Sequence, residues 1–388
     1  MSIAPAHDDA APEWFADYAP LSGVPDELIG ADGAPRPAWR RFFEALGRRD
    51  LDAAILASDR SIRDMGISYR VRGETQERSW PLSRLPLLIS QDEWGQISAG
   101  AIQRAELMER ILADIYGEGA LAEDGVVPAA AIAGSPEFLR PMAGVSPPGG
   151  RWLRFYALDL GRGPDGRWWV VGDRAQAPSG AGYALENRLV FSRALQEVTK
   201  AMNVRRLAPF FRAFRAGLAS SSERASPRIC LLTPGELSES YFEQTYLARY
   251  LGFLLVEGDD LVVRDGKAHI RTIAGLRRAD VIWRRVDGDY LDPIELKGSS
   301  RLGVPGLVDA MRQGNVVVAN APGAAAIESR ALLGFLEGAS RRLMGEDLKL
   351  PHVATWWCGQ ADARRHVLAN FDRLAISSAF GVNVAGLQ

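Results

Sequence analysis

Residues 156–193 read YALDLGRGPDGRWWVVGDRAQAPSGAGYALENRLVFSR. Two aromatic, β-branched runs flank the turn sequence Gly163-Pro164-Asp165-Gly166 and predict a β-hairpin. With its loop centred on Asp165-Gly166, Asp159 faces Gly172 on one side of the hairpin, and Asp173 points to the other. A hard divalent cation beside Asp159 needs further oxygen ligands, and Gly172 supplies none. An aspartate at the end of an exposed strand is the plainer reading. Pro178-Ser179-Gly180-Ala181-Gly182 then opens into a helical stretch beginning YALENR. Backbone N–H groups converging there, at a helix N-terminus, suit a phosphate or carboxylate. They suit a connecting turn equally, because neither the Walker pattern nor G-x-G-x-x-G is present. Glu186, Asn187 and Arg188 cannot all share one helix face, so one or two of them reach the neighbouring crevice.

Downstream, the pattern becomes strand, helix, strand. RICLLT, FLLVEG, ADVIWRRV and GNVVVANAPG are short apolar runs separated by helical stretches and by the hairpin LVVRDGKAHIRTI with Asp265-Gly266 at its tip. This alternation predicts an open α/β layer of mostly parallel strands, with α+β segments around it. Ligands bind such layers at the carboxyl ends of the strands, so Thr233–Gly235, Arg284–Asp289 and Asn320–Gly323 point toward one crevice. Of Arg284 and Arg285, one suits bidentate capture of a carboxylate or phosphate; a surface ion pair is the alternative.

Upstream, residues 1–35 read as a mobile tail without a motif. Helical periodicity begins at PAWRRFFEALG and continues through DLDAAILASDRSIRDMG, where Asp50 caps the start and Gly66 stops the end. Ser90-Gln91-Asp92-Glu93 is a capping box, followed by Trp94, Ile97, Ala101, Leu107, Ile111 and Ile115 at helical spacing. The Pro/Gly stretch 140–150 marks a boundary. The domains expected are a tail at 1–35, a helical region at 36–150, the hairpin unit at 151–226, the open α/β layer at 227–330 and a last unit at 331–388.

Composition excludes several classes. With 46 basic and 48 acidic residues, the net charge of −2 gives no global field to hold a polyanion, so a nucleic-acid partner is not expected. The arginines on RRLAPFFRAFRAG read as the solvated face of a helix whose phenylalanines are core. No apolar run reaches the roughly 18 residues of a membrane span, and the N-terminus lacks a signal-peptide pattern. A soluble cytoplasmic protein is expected. Cys230 and Cys358, far apart in sequence, read as two buried thiols in a reducing compartment, with TWWCG a buried aromatic cluster. No histidine lies beside a nucleophile elbow, which disfavours hydrolysis. Only Lys200, Lys267, Lys297 and Lys349 are available to neutralise a phosphate as lysines.

Taken in order, SRLPLLISQDEW, the stretch 156–193, LLTPGELSESYFEQTYLARYLGFLLVEGDDLVV, DVIWRRVDGDYLDPIEL, LGVPGLVDAMRQGNVVVANAPG and LPHVATWWCG resemble the circularly permuted ATP-grasp proteins, relatives of glutathionylspermidine synthase. The resemblance spans about residue 40 to about residue 375. It implies a carboxylate–amine ligase: ATP and Mg²⁺ held between two α+β subdomains, an acyl phosphate formed, and an amide or peptide bond made with release of ADP. The substrate is a small molecule or a peptide. Carried onto this chain, it implies Asp159 as metal ligand and Arg284 and Arg285 as catalytic cations. Ser179, Gly180, Gly182, Glu186, Asn187, Arg188, Asn315 and Asn320 form the substrate- and anion-binding set. Two departures stand out. Where many relatives read E-D-N-x-R-x-P-S-G, this chain has Gly172-Asp173-Arg174, so of the metal ligands only Asp159 remains, with an arginine in a cation's place. After HVLANFDRLA, relatives enter the ATP-gripping strand and loop, whereas this chain reads ISSAFGVNVAGLQ. The expectation is an incomplete ATP-gripping subdomain, hence a truncated copy or a fragment needing a partner polypeptide. Alternatively, the scaffold is a non-catalytic binding module.

Overall fold

A computed structural model describes residues 18–380 apart from 48, 72, 84 and 164. Residues 1–17 of the expected tail, Pro164 of the hairpin turn and the last eight residues lie outside the described ones. The described part of the tail packs on the body: Leu28 is buried with Trp39, Phe42, Phe43 and Leu46. Those four lie on α1 (Pro37–Leu46), which α2 (Leu51–Asp64) follows, with the Asp50 carboxylate accepting from the Ala53 amide as a helix cap should. A short antiparallel pair, β1 (Ser68–Arg70) and β2 (Glu77–Ser79), leads to α3 (Gln91–Tyr116). Its capping box is formed in both directions, Ser90 with Glu93. The buried face of α3 is Ile97, Leu107, Met108, Ile111 and Leu112; Trp94, expected on that stripe, is 43% exposed. Trp94 sits in the first turn, beyond the reach of the core that Leu107–Tyr116 enter.

The short helices α4 (Ala120–Glu123) and α5 (Ala129–Ala133) precede the hairpin of β3 (Ala157–Arg162) and β4 (Trp168–Arg174). Met142 and Val145, within the expected 140–150 boundary, are buried in one core cluster with Leu107, Trp152, Ile282 and Leu336. In the hairpin, Asp159 does face Gly172, but the turn is not centred as expected. Nearer the tip the register is one residue shorter, Leu160 opposing Val170 and Arg162 opposing Trp168. The Asp165 carboxylate accepts from the Arg167 amide and the Trp169 indole and so centres the turn on itself. Val171 is then the extra residue of a β-bulge, 53% exposed, and it restores the expected pairing at Asp159. The segment after Leu350 runs beside β4: the Val170 amide donates to the Pro351 carbonyl, and the Val353 amide to the Val170 carbonyl.

Next come α6 (Ala181–Ala194), α7 (Gln196–Ala201) and α8 (Ala208–Ser220); the first two divide at Leu195 what reads as one helical stretch. The open layer follows. Its strands β5 (Ile229–Leu232) and β6 (Leu254–Val256) bracket α9 (Tyr241–Leu251). A three-stranded antiparallel excursion, β7 (Leu261–Arg264), β8 (Lys267–Thr272) and β9 (Gly275–Arg278), turns at Asp265-Gly266, both with positive φ as the tight turn demands. Then come β10 (Val281–Arg284), α10 (Leu307–Arg312) and β11 (Val317–Ala319). The sheet order is β11-β10-β5-β6 and every neighbouring pair is parallel. Both faces are buried, which is why its strands read as continuous apolar runs. Cys230, Leu232, Ile282 and Val318 enter one core cluster, while Leu231, Val281, Trp283 and Val317 join Phe211 and Phe214 of α8 in another. The arginines of α8, Arg212 and Arg215, are exposed as expected.

The chain continues through α11 (Arg330–Leu333) and α12 (Leu336–Met344) to α13 (Ala361–Ala369). Before α13, the reading of TWWCG as a buried cluster fails. Cys230 is buried, but Cys358 is exposed, and the Trp356 ring, 39% exposed, stacks on His366 with centroids 4.6 Å apart. Only Trp357 packs inward, on Phe335. Adjacent in a stretch outside any helix or strand, the two tryptophans face different surroundings.

Candidate functional site

The carboxyl ends of β10 and β11 meet the stretch that follows β4. Arg284, 1% exposed, donates from Nε to the Asn320 carbonyl (2.6 Å), from Nη1 to the Val286 carbonyl (2.9 Å) and from Nη2 to the Ala321 carbonyl (3.3 Å). Burial pulls its guanidinium down to about 10, against the pull of Asp287, Glu328 and Asp289. The Asn320 side chain is equally engaged. It accepts from the Arg154 and Phe155 amides at 2.7 and 2.9 Å and donates to the Phe155 and Ala175 carbonyls at 2.6 and 2.7 Å. Arg284–Asp289 and Asn320–Gly323 therefore do come together, as the crevice argument expects. Asn315 does not join them: it precedes β11, at the opposite end of that strand, and its amide nitrogen reaches Gln313.

Arg285 is buried too, so neither arginine makes the surface ion pair considered from sequence. Its Nη1 donates to the Pro178 carbonyl, and its charge lies near Glu243. Glu243, on α9, supplies the anion expected at the start of α6. Its Oε1 accepts from the amides of Gly180 (2.7 Å) and Gly182 (2.8 Å). The N-terminal nest of α6 thus holds a carboxylate of the chain itself. Burial raises the Glu243 carboxyl, opposed by Arg285 and by those two amides. Ser179 is exposed beside it. Further along α6, Glu186 is buried near Tyr246, Asn187 accepts from the Trp80 indole at 2.8 Å, and Arg188 donates to the Arg205 carbonyl.

On the hairpin, Arg174 Nε and Nη2 donate to Asp159 Oδ2 at 2.9 and 2.6 Å. Asp173 faces the other way and is held bidentately by Arg104 at 2.7 and 2.8 Å, with Tyr156 as a second donor. A family-type Mg²⁺ site does not fit these residues. The one carboxylate on that face is engaged by a guanidinium, and no group of three metal-ligating side chains exists among the described residues.

Sequence reasoning missed three carboxylates that organise this region. Glu328 Oε1 accepts from the Ala175 and Gln176 amides, tying the end of β4 to the crevice, and burial raises its carboxyl. Glu137 is raised by burial and then by Asp289, Asp287 and Glu328. Glu243 carried a signal: it falls one turn before Leu247 and Tyr246, on the apolar stripe of α9, where an unpaired glutamate would be costly. Of the lysines, Lys297 lies here, 3.2 Å from Asp289 Oδ2 and over the Tyr290 ring. Lys349 instead borders a hollow of about 400 Å³ near the hairpin tip, with Glu93 and Trp168.

The sequence matches the family model for circularly permuted ATP-grasp type 2 over residues 86–387, and the chain belongs to that family. The fold is that of ATP-dependent ligases, and such folds generally bind ATP and Mg²⁺. An uncharacterized Mycobacterium tuberculosis protein is 39% identical over 368 residues, 91% of this chain and 42% of the relative. An uncharacterized Synechocystis protein is 34% identical over 363 residues, 91% of this chain and 75% of the relative. This chain thus spans about two fifths of the mycobacterial relative's length. Among solved structures, a glutathione synthetase-like effector from Globodera pallida in its apo form superposes with a TM-score of 0.51 at 12% identity, over 79% of this chain and 71% of the other. That likeness concerns the fold alone.

Proposed function

We propose that the chain is an ADP-forming carboxylate–amine ligase scaffold, acting on a small molecule or peptide, that is impaired when it acts alone. Family membership supports the reaction class. The observation that carries the impairment is the Arg174 guanidinium on Asp159, where the reaction's phosphates would need divalent metal. In this reading a partner polypeptide completes the grip on ATP. The protein works in the cytoplasm without nucleic acid or membrane. Its near-neutral charge supports the first, and no described helix is long and apolar enough to cross a membrane. Calorimetric titration with ATP·Mg²⁺ tests the proposal: the chain alone gives no saturable heat, and saturable micromolar binding overturns the impairment.

A second reading is a non-catalytic binding module. It is favoured by the internal satisfaction of Arg284, Asn320, Gly180 and Gly182, which leaves these groups holding the chain rather than a ligand. Adding an ATP-gripping subdomain separates the two. The ligase reading requires that ATP binding then appear, and the module reading requires that it stay absent.

A further inference from the structure

The hairpin face that carries Asp159 has an unusual charge arrangement. Asp159 opposes Gly172, and a Cβ on Gly172 would lie 3.5 Å from Asp159 Oδ2, so any longer side chain there would share the space beside the carboxylate. With glycine in that place the space is left to Arg174, two residues along the same strand and on the same face. Its guanidinium folds across and meets one oxygen through two nitrogens. The pair is half in solvent, with side-chain exposures of 57% and 45%. Asp173, the carboxylate of β4, is 1% exposed behind the sheet and locked to Arg104. Glu328, whose charge also reaches Arg174, is held by two backbone amides.

We infer that Arg174 stands in for a divalent cation, so that this face carries its positive charge as a guanidinium and takes up no metal. Two features act together. A guanidinium has no lone pair to offer as a ligand and is permanently charged, so it repels a cation without helping to bind one. A single remaining carboxylate also offers few oxygens to Mg²⁺, which usually takes one or two carboxylates together with waters and substrate phosphates. The exposed ion pair need not be strong for this to hold, since such pairs contribute little. The inference stands on these contacts and not on whether the chain turns over a nucleotide.

Manganese alone, titrated into the full chain and followed by the free-ion electron paramagnetic resonance signal, tests it. Wild type and Asp159→Asn are expected to deplete the free signal equally, because Asp159 holds no ion. The double variant Gly172→Glu/Arg174→Asn is expected to bind one further ion per chain, lost again when Asp159→Asn is added. Wild type losing a bound ion on Asp159→Asn overturns the inference. A folded double variant that binds no more than wild type also overturns it, since the guanidinium would then not be what excludes the metal. Should the double variant fail to fold by circular dichroism, Arg174→Glu alone, which replaces the guanidinium at this exposed position with a second carboxylate beside Asp159, must bind Mn²⁺ more tightly than wild type. ATP titrations are unaffected by this design, so a failed ligase reading and a failed metal inference are told apart.

Discussion

Glu243 on α9 caps Gly182 on α6: its Oε1 lies 2.8 Å from the Gly182 amide and 2.7 Å from that of Gly180. The start of a helix offers unsatisfied N–H groups and a favourable partial charge for an anion, and here the anion arrives from a neighbouring helix. The close approach leaves no room for a side chain, since a Cβ on Gly182 would come within 2.7 Å of Glu243 Cγ and 3.1 Å of Leu247 Cγ. Gly180 is at φ +105°, a conformation that side chains rarely adopt. The glycines of Pro178–Gly182 are thus explained by packing and turn geometry, without a ligand.

Gly182→Ala should therefore destabilise the chain by about 1–3 kcal/mol through overpacking. Glu243→Ala should cost more, about 3–5 kcal/mol, because it leaves two amides without a partner and the buried charge of Arg285 uncompensated. Urea unfolding measures both. A neutral Gly182→Ala would mean that the helices are not held this closely.

Asn320 is the joint between the open layer and the hairpin unit. Its four hydrogen bonds reach residues 154, 155 and 175 from the end of β11. Asn320→Asp keeps the shape but turns the two donated bonds into a carboxylate facing carbonyls. We expect a loss of about 3 kcal/mol or more, on the scale of several unsatisfied buried groups. If Asn320 bound a ligand instead, the same change would weaken ligand binding and leave the unfolding midpoint in place.

Much of the fold was legible, and the reason is periodicity. The parallel layer shows in four apolar runs because both of its faces are covered, and the capping box at Ser90 announces α3 through local hydrogen bonds alone. The pairing of Asp159 with Gly172 was legible from the turn, although the bulge at Val171 was not. Bulges follow from tip contacts such as Asp165 with Trp169, which depend on three-dimensional geometry. The site was less legible. Composition and spacing identify groups able to bind an anion, but not whether the chain already supplies one. Arg284 reaches the Asn320 and Ala321 carbonyls 36 and 37 residues away, and Glu243 its two amides 61 and 63 residues away, and no local pattern encodes that.

The two thiols should behave oppositely. Cys230 is buried in the central sheet, where burial pushes its thiol up to about 12, and Cys358 is exposed. A thiol-specific disulfide reagent at pH 8 should titrate one cysteine per native chain, and both after denaturation. Cys358→Ser should abolish the native reaction. Two fast-reacting thiols in the folded protein would contradict the burial of β5.

Glu328 offers a test by pH. Burial raises its carboxyl in the folded chain above the ordinary value of 4.5, with the amides of Gln176 and Ala175 and the charges of Arg174 and Arg284 opposing. In the window between the unfolded and folded values the native state binds more protons than the unfolded one. The contribution of this group to stability is therefore fully present below about 4.5 and is lost as pH rises through the folded value. Glu328→Gln imitates the protonated form and has no proton to lose. Its melting temperature relative to wild type should rise as the pH is raised from 4 upward, then level off once wild-type Glu328 is ionised. A difference that falls over that range would mean that the two backbone amides, not desolvation, dominate, and that the Glu328 carboxylate is held below its ordinary value.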